Sequence, residues 1–242
     1  MFDHVTIRVS DRDASERFYA TVLRAIGSEP THAGPKFVEW NDFSVTAASE
    51  ERPPTKRLHV AFVAPSREGV DAFWRAGTDA GYEDDGRPGP RPQYRRDYYG
   101  AFLLDPDGNS IEAVHHGAMR GGGIDHLWFR VTNVAASRRF YERLAPHTGF
   151  ELSRAAPDHV QFVGPRSSFT LRQGRPTENV HMAFPADDDS GVDAFHRTAT
   201  AAGYRDCGRP GERPHYHAGY YGAYVLDPDG HNIEMVNHNR SG

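Results

Sequence analysis

Six residues have the side chains and the spacing to hold metal ions: His4, His59 and Glu112, and again His126, His181 and Glu234. Each member of the first set recurs in the second 122 positions later, half the chain away (4 to 126, 59 to 181, 112 to 234). Each sits within a run that alternates polar and apolar residues. Around His4 the run places Val5, Ile7 and Val9 on one face and His4, Thr6 and Arg8 on the other. Strand side chains alternate faces, so the ligands project from the polar side of strands whose other side is apolar. A lone histidine in such a place is usually structural or solvent-facing. Three such residues at identical positions in both halves favour a ligand role. Two imidazoles and a carboxylate suit a divalent first-row metal, with positions left for water or substrate. The competing explanation is an ancestral metal site kept only as polar lining.

The elements that must position these residues are legible around Glu234. Tyr220 to Val236 reads as a hairpin, a β-prone run leading into Asp227-Pro228-Asp229-Gly230 and then a shorter apolar run. A type I turn closed by a glycine bulge gives a three-residue loop that pairs Asp227 with His231 and sets Tyr224 opposite Glu234. The same hairpin occurs at Tyr98 to Val114. The 122-residue shift also superposes Phe18-Tyr19 on Phe140-Tyr141 and His116 on His238. Each half opens with a strand, then a helix capped by Asp11 and Asp13 in the first half, then two short strands at Lys36–Trp40 and Phe43–Ala48. A second strand-helix unit (Leu58–Ala64, then Glu68–Ala80) leads through a proline-rich loop, Gly86–Pro92 or Gly208–Pro214, into the hairpin. The loop has room for one poorly marked strand. The chain is expected to form a domain at residues 1–116, a glycine-rich linker at 117–123 and a second domain at 124–242.

Bulk properties narrow the function. With 33 acidic and 28 basic residues the net charge is −5, which lacks the basic footprint of a nucleic-acid binder. Cys207 is the only cysteine, so internal disulfides and cysteine-based zinc sites are excluded. No apolar run reaches the roughly 20 residues of a membrane span, and the start of the chain lacks an apolar targeting segment. A cytoplasmic protein with a small-molecule substrate or ligand, no nucleic-acid or membrane partner, and a homodimer open to it is expected.

The β-α-β-β units, the opening Asp-His, the Phe-Tyr of the first helix and the closing Asp-Pro-Asp-Gly…Ile-Glu together resemble the vicinal oxygen chelate superfamily. That superfamily includes glyoxalase I, fosfomycin-modifying enzymes, extradiol dioxygenases and bleomycin-binding proteins. The resemblance covers essentially the whole chain. It implies an α+β fold of paired βαβββ modules forming cupped mixed sheets in two tandem domains. It also implies a bound divalent iron, manganese, zinc or nickel ion that chelates substrate oxygens. The family's ligands fall on His4 and His126, on His59 and His181, and on Glu112 and Glu234. Glyoxalase I adds a fourth carboxylate ligand where this chain has Thr46 and roughly Arg172, which argues against that reaction. The extradiol dioxygenase signature matches His217, Tyr224, Asp227-Pro228-Asp229-Gly230 and Glu234, apart from the small Ala223. Tyr224 and His217 are therefore the expected catalytic groups. The first half carries Phe102 and Arg95 there.

The resulting expectation is a metal-dependent enzyme acting on a small oxygenated substrate through a 2-His-1-carboxylate site, as a lyase or transferase or as an extradiol-type dioxygenase. The alternative is a metal-free, bleomycin-resistance-like protein that binds an antibiotic or metabolite, with Trp40, Trp128 and the acids 187–189 as candidate contacts. Family members differ in whether modules of one half pair together or are exchanged between halves. Exchange would group His4 with His181 and Glu234, and His126 with His59 and Glu112.

Overall fold

The computed structural model describes residues 1–117 and 123–239, so most of the expected linker at 117–123 lies outside the described residues. In chain order the first half contains β1 (His4–Val9), α1 (Arg12–Arg24), β2 (His32–Ala33), β3 (Phe37–Trp40), β4 (Phe43–Ala47), β5 (His59–Val63), α2 (Arg67–Asp79), β6 (Asp84–Pro90), β7 (Tyr99–Leu104) and β8 (Ser110–His115). The second half repeats this as β9 (Ile124–Val131), α3 (Val134–Thr148), β10 (Glu151–Ala155), β11 (His159–Val163), β12 (Ser168–Gln173), β13 (His181–Pro185), α4 (Asp189–Ala201), β14 (Asp206–Glu212), β15 (Tyr221–Leu226) and β16 (Asn232–Asn237). Among the described residues the strands form two eight-stranded mixed sheets, ordered β14-β15-β16-β13-β1-β4-β3-β2 and β10-β11-β12-β9-β5-β8-β7-β6. The fold is α+β and built from βαβββ modules.

The modules are exchanged. Within the compact unit Thr6–Phe129, β9 pairs antiparallel with β5 and sets Ala61 opposite His126. Within the unit made of Met1–Val5 and the chain from Arg130 on, Asp3 N donates to Ala183 O beside β13. These units divide the chain differently from the sequence repeat, because the opening residues of each half pair with the closing module of the other.

In Thr6–Phe129 the alternation of β1 is reproduced, with Ile7 and Val9 buried and Thr6 and Arg8 half-buried. Asp11 caps α1 by accepting from Ala14 N, and Ser66 caps α2 by accepting from Gly69 N. The Asp-Pro-Asp-Gly turn is a buried hub. Asp105 Oδ1 accepts from Asp107 N (2.9 Å) and Asn109 N (2.8 Å), and Oδ2 accepts from Tyr19 OH (2.9 Å) on α1. That bond accounts for the Phe-Tyr pair in the helix, and it ties the hairpin bearing Glu112 to the first module's helix.

The other unit repeats the hub, with Asp227 accepting from Asp229 N, His231 N and Tyr141 OH, each at 2.9 Å. There Phe2 anchors the start of β1 among Phe150, Phe169 and Phe184, its ring centroid 5.0–6.4 Å from theirs. Burying such a ring stabilises by about 1.5–3 kcal/mol, and it carries Asp3 and His4 into register. The hairpin register is as the turn chemistry requires: Tyr224 opposite Glu234, Asp227 N donating to His231 O, and Gly230 at φ 87°.

The segments expected as proline-rich loops are instead largely the strands β6 and β14. Their prolines and glycines conceal a strand signal because these are edge strands with shifted register, where a missing N–H costs nothing. Among the described residues no helix is long and apolar enough to cross a membrane.

Asp42, in the turn between β3 and β4, accepts from Ile124 N (3.0 Å) and so pins the start of β9. Burial pushes its carboxyl from 3.8 up to about 6, against the backbone donors Ile124 and Gly123. Because the folded value is raised, this group's contribution to stability is fully present below about pH 4. It is lost as pH rises through about 6, a change of about 3 kcal/mol. Asp42→Asn removes the titration. The stability of wild type relative to the variant, from urea unfolding, should therefore fall by about that amount between pH 4 and pH 7. A difference independent of pH would refute this.

Candidate metal centres

In Thr6–Phe129, β5 and β8 run parallel with Ala61 opposite Glu112, and β9 lies on the other side of β5 with His126 opposite Ala61. The small Ala61 side chain leaves the space between them to the side chains of His59, Glu112 and His126. His59 Nε2 is 3.0 Å, and His126 Nε2 3.6 Å, from Glu112 Oε2. Glu112 is only 1% exposed. Its Oε1 accepts from Tyr98 OH at 2.7 Å, and burial, followed by the charge of Glu112, keeps the Tyr98 phenol protonated. Gly100 is required beside it, because a Cβ there would lie 2.4 Å from Glu112 Oε1.

The outer contacts fix the proton positions. Asp125 Oδ2 receives His126 Nδ1 at 2.8 Å, and Oδ1 receives His116 Nε2 at 2.9 Å. Burial disfavours the Asp125 charge, but the bonds from His116 and His126 outweigh it and hold the carboxyl well below its ordinary range. An ionised carboxylate only accepts, so His126 carries a proton on Nδ1 and turns Nε2 inward. Ser110 Oγ donates to Asp85 Oδ2 at 2.6 Å and lies 3.1 Å from His59 Nδ1. Its one proton is thus committed, and it accepts from His59 Nδ1–H. His59 Nε2 and His126 Nε2 both face Glu112 Oε2. Burial lowers the His126 imidazole, but the bond to Asp125 and the charge of Glu112 raise it above its ordinary value, so a proton or a shared cation can hold the three atoms together.

In the other unit His4 Nε2 lies 3.1 Å from His181 Nε2 and 3.6 Å from Glu234 Oε2, and His181 Nε2 lies 3.1 Å from Glu234 Oε2. Ligands held about 2.1 Å from one centre stand about 3.0 Å apart at right angles and about 3.4 Å apart at tetrahedral angles, so both donor sets fit one ion. His4 Nδ1 is 2.8 Å from Asp3 Oδ1, and Tyr220 OH donates to Glu234 Oε1 at 2.6 Å. Burial raises the Glu234 carboxyl, but His181 and His4 lower it further than burial raises it. Tyr224 faces Glu234 across the hairpin. Burial first, then the charge of Glu234, keeps its phenol protonated, so it is a donor and not a base.

His217 reaches this cluster indirectly. Its Nδ1 bonds Ala218 O at 2.8 Å and its Nε2 bonds His238 Nδ1 at 2.8 Å, while His238 Nε2 bonds Asp3 Oδ2 at 2.9 Å. The corresponding chain in Thr6–Phe129 runs to His116, whose buried Nδ1 has no hydrogen-bond partner among the described residues. Arg95 there pairs with Asp97 at 2.9 Å. Trp40, a candidate ligand contact from the sequence, is 1% exposed within the core, whereas Trp128 lies against His59 and His126. Asp188 caps α4, and Asp189 accepts from Asn237.

The residues that sequence reasoning missed are the partners holding the ligands: Asp3 and Asp125, His116 and His238, Tyr98 and Tyr220. All recur at the same 122-residue offset as the ligands, which is the signal that would have found them.

A pair of βαβββ sheets, each bringing together two imidazoles and a buried glutamate, defines a duplicated scaffold with one candidate metal centre per copy. The model of the Glyoxalase/Bleomycin resistance protein/Dioxygenase superfamily matches residues 1–113 and 123–235, and the chain belongs to that superfamily. Among solved structures, the V278E mutant of glyoxalase I from Zea mays is 18% identical with a TM-score of 0.70, over 98% of this chain and 92% of that one. A putative dioxygenase from Bacillus subtilis is 15% identical with a TM-score of 0.69, over 99% and 86%. At these identities the likeness is one of fold. No curated protein matches the sequence.

Gly100→Ala should displace the Glu112 carboxylate without disturbing the core. Affinity for Zn2+ at that cluster, measured by calorimetry, should fall by about tenfold or more at an unchanged melting temperature. Unaltered affinity would show that the carboxylate has freedom the packing denies it.

Proposed function

We propose that the chain is a metal-dependent enzyme that binds one divalent first-row ion at His4, His181 and Glu234 and another at His59, Glu112 and His126. It acts on a small oxygenated molecule that completes the coordination. The observation that supports this reading is the convergence, twice, of two imidazole nitrogens on one oxygen of a buried glutamate at 3.0–3.6 Å. A 2-His-1-carboxylate set with open positions favours oxygenase-type chemistry over isomerisation. When bound, the ion supplies Lewis acidity toward substrate oxygens.

The chain's own groups do the rest. Asp3 and Asp125 orient a histidine each, and Tyr220 and Tyr98 each hold one oxygen of a glutamate so that the other faces inward. Tyr224 offers a phenolic proton to a substrate oxygen held beside Glu234, which Phe102 cannot do at the equivalent place. His217 acts as a positioning residue, through His238 and Asp3, on His4. The cluster with Tyr224 therefore carries most of the turnover.

Metal analysis of protein purified without chelator should find near two ions per chain, one per cluster. Glu234→Gln, which exchanges an anionic ligand for a neutral one of similar shape, should lower that to about one with the fold intact. Unchanged stoichiometry and affinity would overturn the ligand assignment. Metal-free protein that binds a drug tightly would support a sequestering role instead.

With a turnover assay, Tyr224→Phe should lower kcat by about 100-fold. Since His4 shares a unit with Tyr224, His4→Ala should cost far more activity than His126→Ala. Equal losses would show that both clusters turn over alike.

A further inference from the structure

Beside the cluster of Thr6–Phe129 lies a cavity of about 310 Å³, lined by His59, Glu112 and His126 and walled by Tyr94, Phe102 and Trp128. Its size suits a one-ring molecule. Trp128 lies 5.9 Å from the His59 ring and 5.5 Å from Tyr94, and Phe102 lies 5.8 Å from His59, all between centroids. The same lining includes Arg91, whose guanidinium stands 5.5 Å from the Phe102 centroid. Two carbonyls orient it, Arg87 O at 2.7 Å from Nη2 and Pro90 O at 3.3 Å from Nη1. Gly89 makes room, since a Cβ there would sit 3.1 Å from Nη1.

Carbonyls fix a guanidinium without neutralising it, and three of its five N–H donors stay uncommitted. The carboxylates on the same lining are already engaged: Glu112 accepts from Tyr98, and Asp85 accepts from Ser110. No ion pair to Arg91 forms among the described residues. The device is built twice. In the other unit Arg213 is held by Arg209 O at 2.7 Å and Glu212 O at 3.1 Å, and stands 5.6 Å from the Tyr224 ring. The sequences Arg87-Pro88-Gly89-Pro90-Arg91 and Arg209-Pro210-Gly211-Glu212-Arg213 lay down the same carbonyl cradle.

We propose that the cavity of Thr6–Phe129 takes a small aromatic carboxylate. Its carboxylate pairs with Arg91, its ring lies among Phe102, Trp128 and Tyr94, and its far oxygen is presented to His59, Glu112 and His126. The Arg91 guanidinium and the His59 ring lie 5.5 Å and 5.8 Å from the Phe102 centroid, so one ring packed against Phe102 has both within reach. Arg91 is thus the specificity-determining residue. The inference rests on the proposed function for the metal-bound end alone.

The test uses the full chain carrying Arg213→Gln, which silences the counterpart arginine, and compares binding of 4-hydroxybenzoate, 4-hydroxybenzamide and hexanoate by calorimetry, with and without Zn2+. The acid should bind at least about tenfold more tightly than the amide in both conditions, and more tightly than hexanoate. Adding Arg91→Gln should abolish the preference for acid over amide while Zn2+ stoichiometry and melting temperature stay unchanged. Zn2+ should tighten the hydroxybenzoate in either background. Equal binding of acid and amide, or a preference that survives Arg91→Gln, overturns the arginine's role. Equal binding of hexanoate overturns the aromatic assignment. Failure to bind Zn2+ overturns the proposed function and the metal-bound end together, while the acid-over-amide comparison still decides the role of Arg91.

Discussion

Much of this structure follows from one electrostatic constraint: two imidazole nitrogens and a buried carboxylate oxygen aimed at one point. At 3.0–3.6 Å these atoms repel unless a proton or a cation lies between them. A tautomer change or a rotation would relieve the repulsion, and both are opposed. Asp125 and the committed Ser110 hydroxyl fix the Nδ1 protons, and the phenol of Tyr98 holds the far oxygen of the carboxylate. Holding these groups together costs stability that a bound cation would return.

Maintaining that geometry requires strands distant in sequence to lie side by side, which the exchanged modules provide. The Asp-Pro-Asp-Gly turn looks in sequence like punctuation before a ligand. In the fold it is a buried carboxylate that collects backbone amides from its own loop and a tyrosine from the first helix. Each bond to a charged acceptor contributes about 1.5–3 kcal/mol, enough to make the hairpin register insensitive to its polar load. The edge strands β6 and β14 then only need to close the site, which is why they tolerate proline.

The duplication, the six residues that converge in two clusters and the hairpin register were legible in the sequence because each depends on local periodicity or on an exact repeat. The choice of partners for His4 and His126 was not. Both pairings satisfy the same alternation and the same turn chemistry, and contacts distant in sequence select one: Phe2 among Phe150, Phe169 and Phe184 for β1, and Asp42 on Ile124 N for β9. The β6 and β14 strands were obscured by composition, since edge strands need little of the apolar alternation that marks central ones. The outer partners were missed for a different reason: Asp3, His238 and Tyr220 are ordinary residues singly, and only their recurrence at the 122-residue offset marks them in the sequence.

The two clusters share their inner atoms and differ in what surrounds them. Around Glu234 stand a phenol and a histidine pair that reaches Asp3, all of which exchange or donate protons. Around Glu112 stand the Phe102 ring and, behind Asp125, a buried His116 whose Nδ1 has no hydrogen-bond partner among the described residues. Identical donor sets bind the same ions, so duplication alone gives no reason for the difference. Proton supply does. Chemistry that moves protons to a substrate oxygen depends on groups outside the donor set, whereas holding an ion and an anionic ring does not. Selection on the two copies can therefore leave the ligands untouched while the surrounding residues divide turnover from binding.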